Sequence, residues 1–424
     1  MSSTPLLAQR RQADQALAAR DPRISALGSV LDDDRLSALL GEAVRITRVR
    51  YKPGTSVLVA FCQAGPGGYG WASTRAAGVG AKLQHRAQRS ERYGGGIRLF
   101  QPEPRHEESI VAVGGIEDDW PLRENLLWLF EHGLGRLGAG REAPGSLLGP
   151  TGRVLRYKPE RRIVLGVPAG QNAIVVKTAT QPRPHAAGPG LAERLLQGGV
   201  PVLAELADAQ CAEHGISASR QWGDGDLDGC ADEHCAYLAG EALAALHAVD
   251  PGPAGAADDG AAKLVHQLRA TRDMVTALLP ELDKPATLAM HELAALVTMG
   301  AQSGRKVLVH GDFSPDQVLV DGAAVRIIDF DRIGTGAPEL DIGFFAAAEE
   351  IADRGTGGGG PGGPKTDSLM AGYLRAGGHP FGYRANAWAA LRFFISAVDP
   401  FRDRDPDWPA TAHWQIRRTL ELIT

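Results

Sequence analysis

The sequence predicts an α+β fold with small antiparallel sheets early in the chain and helices dominating late. Three observations carry this. Residues 306–333, KVLVHGDFSPDQVLVDGAAVRIIDFDRI, alternate short β-forming runs with polar turns. The tetrapeptide Arg-Tyr-Lys-Pro stands at 50–53 and again at 156–159, each time between two β-like runs. Beyond residue 233, His234 to Val249, Leu264 to Leu282, Thr287 to Thr298 and most of Arg384 to Thr424 read as helices, with apolar residues at helical spacing.

The bulk composition narrows the class of function. A chain of 424 residues is long enough for two or three domains. The 44% hydrophobic content supplies a real core, and 22% charged residues with a net charge of −5 leave no basic excess. That balance argues against nucleic acid and an anionic membrane surface as partners. Met1 to Arg20 is polar without an apolar core, so it does not read as a secretory signal. No run approaches the length of a membrane span. Four cysteines, Cys62, Cys211, Cys230 and Cys235, in a chain of this size read as reduced thiols and a cytoplasmic location. Their spacing fits no standard zinc pattern.

Taken in order, Gln12 to Ala19 is Ala/Leu-rich and helical, and Asp32-Asp33-Asp34 opens a second helix whose start suits acidic side chains. Ile46 to Cys62 is a hairpin turned at Pro53-Gly54. Val79 to Arg89 is helical, Ile97 to Phe100 strand-like, and Leu122 to Leu137 an amphipathic helix. Gly138 to Pro150 reads as a linker. The second Arg-Tyr-Lys-Pro copy follows in GRVLRYKPERRIVLGV, Gly152 to Val167, with its turn at Lys158 to Arg162. The recurrence of tetrapeptide and flanking strands together indicates an internal repeat. In the second copy a third strand, Ala173 to Val176, ends in Lys177; in the first, Trp71 to Arg75 occupies the corresponding place, so the first reads as a degenerate relative. LAERLL then places Glu193 on a helix, and Ile216 to Trp222 is a further strand, followed by a hinge at Gly223 to Gly229.

The chemistry concentrates in HGDFSPDQ and IIDFD. Asp312 and the amide of Gln317 lie five residues apart on one loop, and Asp329 stands 17 residues beyond Asp312, across an Asp321-Gly322 hairpin turn. One carboxylate to orient and deprotonate a hydroxyl, with an amide and a second carboxylate to hold Mg²⁺, is the residue set of phosphoryl transfer. A lone HGD or DFD is ordinary turn chemistry; the pair joined by a hairpin is not.

On these residues the stretch resembles the aminoglycoside phosphotransferase and choline kinase superfamily, whose loop reads His-Gly-Asp, four residues, Asn, then a hairpin and an Ile-Asp-Phe/Trp strand. The departure is Gln317 in place of Asn, which keeps the amide oxygen and adds a methylene. ALAALHAVD also resembles the ALxxLH helix of the family. The resemblance implies a protein-kinase-like two-lobed fold: an N-terminal accessory domain over 1–149, a small antiparallel-sheet N-lobe over 150–222, and a mostly helical C-lobe over 223–424 with its catalytic loop at 308–331. It implies ATP and Mg²⁺ as cofactors and a small-molecule acceptor of aminoglycoside, sugar or amino-alcohol type. Asp312 takes the catalytic position, and Gln317 and Asp329 the metal positions. Lys177, Glu193 and Arg161 serve the nucleotide. His310 supports the loop by packing, Asp341 braces it and doubles as a helix N-cap, and Asp331 assists a second metal or pairs with Arg332. Glu349, Glu350, Asp353 and Asp367 offer carboxylates for acceptor ammonium groups or simply a solvated helix face. Arg354 to Pro364, RGTGGGGPGGP, reads as a mobile insertion. The alternative is a catalytically impaired pseudokinase acting as a nucleotide-binding or scaffold protein; a protein kinase is disfavoured because no HRD, DFG or APE set is present.

Overall fold

The computed structural model describes residues 3–63, 68–76, 80–102, 109–139, 153–170, 172–182, 189–251, 260–302, 305–353, 361–379 and 384–423. All but the first two residues of the expected linker, the boundary at 149/150, and most of the Gly-rich run after Asp353 lie outside them. The chain forms two compact units. One takes Met1–Arg183, Ala209–Ala218 and Asp399–Thr411; the other takes Pro184–Asp208, Ser219–Val398 and Ala412–Thr424. Among the described residues no helix is long and apolar enough to cross a membrane.

The first unit opens with helices α1 (Ser3–Arg20), α2 (Leu27–Leu31) and α3 (Asp33–Leu40). Asp32 caps α3, accepting from the amides of Asp34 and Arg35 at 3.0 Å. A sheet follows: β1 (Val44–Lys52), β2 (Ser56–Gln63), β3 (Tyr69–Arg75), helix α4 (Gly80–Arg92), β4 (Arg98–Phe100) and β5 (Val111–Gly115), ordered β1-β2-β3-β5-β4 and antiparallel throughout. The expected helix over 122–137 is instead α5 (Trp120–Trp128), a π-helical turn at Leu129–Gly133, and the short α6 (Leu134–Arg136).

A second antiparallel sheet, β6 (Arg153–Lys158), β7 (Arg162–Ala169) and β8 (Asn172–Ala179), is completed, after α7 (Pro189–Gln197) and α8 (Ala209–Glu213), by β9 (Ile216–Arg220) in the order β6-β7-β8-β9. The two sheets share one plan: hairpin, third strand, helix, returning strand.

They also share one clamp. Tyr51 donates its hydroxyl to Asp21 Oδ2 at 2.7 Å, and the amide of Gly54 donates to the same oxygen at 2.7 Å. Tyr157 and the amide of Glu160 do the same to Asp119 Oδ2, both at 2.8 Å. Gly54 and Glu160, each following the Pro of its tetrapeptide, both hold the left-handed conformation, with φ of 61° and 59°. That conformation is easy for Gly and costly for Glu. The repeat is therefore structural, extending to the buried carboxylate that fixes each turn.

The second unit is mostly helical. After the two-residue β10 (Gly225–Asp226) come α9 (Glu233–Ala248), α10 (Gly260–Leu278) and α11 (Asp283–Gln302). Then β11 (Val307–Val309), β12 (Val318–Asp321), β13 (Ala324–Ile327) and β14 (Gly334–Gly336) form the strands of the polar loop. The β12–β13 hairpin turns at Asp321-Gly322 as expected, and β10 pairs on its outer side. The sequence reading omits β14, which pairs antiparallel with β11 and closes the loop on itself. Helices α12 (Glu339–Ala352), α13 (Pro364–Arg375), α14 (Arg384–Ser396), α15 (Asp399–Arg402) and α16 (Trp408–Ile423) complete the chain, with α15 in the first unit. The core beneath the loop is apolar and fully buried, with Leu243 and Leu246 of α9, Phe313, Ile327 and Phe345 at its centre. One unit built on two small antiparallel sheets and one mostly helical unit with a strand–loop–hairpin among its helices give the α+β class.

Candidate active site

Strand β11 is three apolar residues, all buried, and it delivers His310, Gly311 and Asp312 to its end. Gly311 sits at φ 81°, and a Cβ there would lie 2.3 Å from the carbonyl oxygen of Arg332, so backbone and space both demand glycine. The loop is fixed from below by Asp341. Its side chain, fully buried, accepts the amide of His310 at 2.7 Å and that of Gly311 at 2.8 Å. Asp341 is not the helix N-cap: α12 begins at Glu339, and the carboxylate is spent on the loop instead.

A second tier holds Asp341 in turn. His247, at the end of α9, directs Nε2 at Asp341 Oδ2 (3.1 Å) and Nδ1 at the Tyr373 hydroxyl (2.9 Å). Facing a carboxylate, Nε2 donates; Nδ1 then accepts from Tyr373. His310 is arranged similarly: Nε2–H donates to the Ile328 carbonyl at 2.8 Å, and Nδ1 accepts the Asp312 amide at 3.4 Å. Its ring packs against Phe313 and Phe330, so one imidazole ties the end of β11 to the end of β13.

Asp312 emerges partly exposed between two guanidiniums. Arg392 on α14 donates Nη1 to Oδ1 at 2.5 Å, and Arg332 Nε lies 3.7 Å from Oδ2. Burial pushes the Asp312 carboxyl up, but Arg392 and Arg332 outweigh it and hold the group below the usual carboxylate range. Asp312 is therefore an anion at neutral pH.

Gln317 closes a helical turn at Pro315–Gln317, and its carbonyl accepts the Ile328 amide at 3.0 Å, which sets Gln317 beside the residues leading into Asp329. Its side-chain nitrogen donates to Asp316 Oδ2 at 3.0 Å. Asp329 is left-handed, φ 64° and ψ 55°, an uncommon conformation for a non-glycine residue. Asp331 is exposed in the turn that follows.

The donors fit Mg²⁺ in kind. A carboxylate and an amide oxygen are hard ligands, and Mg²⁺ is usually held by one or two protein groups, with phosphates and water completing the shell. Among the described residues no cluster of three or more His, Cys, Asp or Glu offers an all-protein metal cage. All four cysteines are free thiols.

The nucleotide candidates are distributed differently. Lys177 is half-buried on β8 opposite Val164, in the first unit. Arg161 is exposed at the β6–β7 turn; burial of part of its side chain, then Arg50, Arg402, Arg48 and Arg162, lowers its proton affinity. Lys158 in the same turn is pushed down to about 7 by burial, reinforced by Arg156, Arg162 and Arg48. Glu193 belongs to the second unit, is exposed, and accepts from Gln197 one turn along its helix at 3.4 Å.

Sequence reasoning missed Arg392, the second tier of His247 and Tyr373, and the contact of Asp316 with Gln317. Arg392 carries no local motif; it reaches Asp312 from 80 residues away. Two of the acidic acceptor candidates are buried and committed. Glu349 accepts three amides, from Gly363, Lys365 and Thr366, and Glu350 pairs with Arg418 at 2.8 Å. They are neither ligands nor a solvated face. Asp353 and Asp367 are exposed.

Residues 196–394 match the family described as phosphotransferase enzyme family. No curated protein matches the chain. Solved structures similar to it include a thermostable mutant of aminoglycoside phosphotransferase APH(4)-Ia with ADP and hygromycin B (12% identity, TM-score 0.49, 70% of this chain and 98% of that one). A choline/ethanolamine kinase family protein from Mesorhizobium loti aligns at 17% identity and TM-score 0.42, over 69% of this chain and 94% of that one. The macrolide 2'-phosphotransferase MphH from Brachybacterium faecium aligns at 18% and 0.40, over 70% and 98%.

Proposed function

We propose, from the match of residues 196–394 to the phosphotransferase enzyme family, that the chain transfers the γ-phosphoryl group of ATP to a hydroxyl of a small molecule of aminoglycoside, sugar or amino-alcohol type. The observation that carries the reading is the braced loop: Asp341 holds the amides of His310 and Gly311, and Asp312 is presented at the strand end as an ionised carboxylate.

In this reading Asp312 accepts the hydrogen bond of the acceptor hydroxyl and aims its oxygen at the γ-phosphorus. As the new P–O bond forms and the bond to the ADP oxygen breaks, the hydroxyl proton passes to Asp312. The two guanidiniums make Asp312 a weak base, which suits a loose transition state in which the proton leaves late and positioning supplies most of the rate. Gln317 and Asp329 are the proposed ligands of Mg²⁺, which when bound neutralises charge on the phosphate oxygens. Lys177 is assigned to the α- and β-phosphates, with Arg161 beside them. Glu193 is assigned to the nucleotide, and Asp331 to a supporting role near the metal. The sequence division into an accessory part (1–149), a nucleotide lobe (150–222) and a catalytic lobe (223–424) belongs to the same proposal.

The test is ADP release by the purified chain with Mg²⁺ and ATP across sugars, aminoglycosides and amino alcohols. The reading expects release that requires one acceptor class and is lost in Lys177→Ala. Failure of the chain to bind ATP would overturn it.

A further inference from the structure

The register of the second sheet sorts its side chains onto two faces, because directly opposed residues of neighbouring strands share a face. Tyr157, Ile163, Leu165, Val176 and Thr178 are buried together on one. On the other, Arg156 opposes Val164, Val164 opposes Lys177, and Lys158 opposes Arg162. Four cations thus surround one valine; Arg156 is exposed and the rest are half-buried. Strands β6, β7 and β8 contain no acidic residue. Lys158 and Arg162 are like charges set directly opposite, which weakens a hairpin, so sheet stability does not account for them.

The first sheet shows the same positions put to another use. There Arg50 opposes Leu58, Leu58 opposes Ser73, and Lys52 opposes Ser56. Leu58 and Ser73 are buried, so that face is covered around them. Serines stand where the second sheet has Arg162 and Lys177, and Arg50 spends its charge on Glu160. The second sheet keeps the arginine and lysine of the tetrapeptide, adds two cations and leaves the face open. Its repulsion registers at Lys158. Burial, then Arg156 and Arg162 on its own sheet and Arg48 on β1, push the ammonium down to about 7; Asp403 opposes them but is itself paired with Arg48.

We infer that this open face binds the phosphate chain of the nucleotide, and that Arg156 and Lys158 are binding residues for it beside Lys177. The inference rests on the phosphotransferase reading above and deepens it by naming two residues that reading leaves unassigned. Strands β6 and β8 lie about 10 Å apart, two strand spacings, so long side chains from both flanks of β7 can grip one extended polyphosphate. Arg156 offers a planar fork of donors, and the lysines offer point charges. A polyanion on the face also offsets the field that strips Lys158 of its proton. Nucleotide binding therefore takes up a proton there above neutral pH, and affinity falls as pH rises.

The experiment is calorimetry of the full chain with MgATP, and with adenosine and inorganic tripolyphosphate as its two halves, in buffers of different ionisation heat. Arg156→Ala, Lys158→Ala and Lys158→Arg are measured beside the wild type. Tripolyphosphate should compete with ATP. Each alanine variant should weaken both by about tenfold or more, the worth of one charge-assisted hydrogen bond, while adenosine binding stays unmoved. The wild type should take up nearly one proton per ATP at about pH 8; Lys158→Arg should keep the affinity and lose the uptake. Melting temperatures of the unliganded variants should not fall, since each alanine removes one of several like charges. Unchanged ATP binding in both alanine variants, an equal loss for adenosine, or proton uptake that persists in Lys158→Arg would overturn the inference. A chain that binds no ATP would instead overturn the reading beneath it.

Discussion

In the first Arg-Tyr-Lys-Pro hairpin, Asp21 gathers the Tyr51 hydroxyl and the Gly54 amide; in the second, Asp119 gathers the Tyr157 hydroxyl and the Glu160 amide, with almost the same lengths. The sheets around them have the same order as far as the returning strand. What differs is the residue on the third strand. Leu58 faces Ser73, and its counterpart Val164 faces Lys177. Ser73 is buried, and its hydroxyl has no partner among the described residues, whereas Lys177 is half-buried. The second turn also gathers cations, Arg50 and Arg86 both pairing with Glu160. The clamp is thus a requirement of the hairpin and is kept in both copies. The lysine, assigned above to the nucleotide phosphates, stands in one.

This contrast can be broken most sharply at the third strand. Lys177→Ala should lower kcat/KM for ATP by a hundredfold or more, since it removes a contact assigned to the phosphates, on the order of 3 kcal/mol. Ser73→Ala should leave activity unchanged and stability within about 1 kcal/mol, because the hydroxyl it deletes is already unpaired. Steady-state kinetics and urea denaturation of both variants check this. An equal loss of activity in the two would dissolve the distinction between the copies.

The clamps should respond alike to deletion. Asp21→Ala and Asp119→Ala each strand a tyrosine hydroxyl and a turn amide, and each should cost about 2–4 kcal/mol in equilibrium unfolding. Asp119 should also carry a pH dependence. Burial raises the Asp119 carboxyl from 3.8 to about 6, against the opposing pull of the Glu160 amide, Tyr157 and Arg86. One of its oxygens, Oδ1, is buried without a partner among the described residues. With the folded value above the unfolded one, the contribution is full below about pH 4 and is lost as pH rises through about 6, by up to about 3 kcal/mol. Asp119→Asn keeps an oxygen for Tyr157 and should flatten that dependence in denaturation curves taken from pH 4 to 8.

The smallest effect concerns the turn itself. Gly54→Ala should cost about 1–2 kcal/mol by placing a Cβ in left-handed backbone, while Glu160→Gly should relieve the same strain and offset the loss of the pairs with Arg50 and Arg86. Melting temperatures of the two variants, moving in opposite directions or one alone moving, check it.

The architecture was readable because its signals are local. Apolar runs, Asp-Gly and Pro-Gly turns and the repeated tetrapeptide each fix backbone within a few residues, so the hairpins and their order follow from the chain. The loop was readable for the same reason, since His310, Gly311, Asp312, Gln317 and Asp329 fall on one short stretch. What escaped was long-range. Asp119 lies 38 residues from the tyrosine it holds, and His247 and Arg392 lie 94 and 80 residues from Asp341 and Asp312. No periodicity or turn preference reports such contacts. Glu349 and Glu350 misled in the opposite sense: charge in a sequence suggests solvent, and only the fold shows amides and Arg418 waiting for it. The π-helical turn at Leu129–Gly133 likewise sits in a pattern that reads as an unbroken helix.

The central claim is that the carboxylate of Asp312, braced through Asp341, serves phosphoryl transfer. Its most direct test is the rate of γ-phosphoryl transfer by the wild-type chain and by Asp312→Asn under identical Mg²⁺ and ATP, with nucleotide affinity read on the same samples. The account predicts a loss of roughly a thousandfold in turnover, within the usual range for a positioned acid–base group, with ATP still bound. Turnover in the variant within a few-fold of wild type would contradict it.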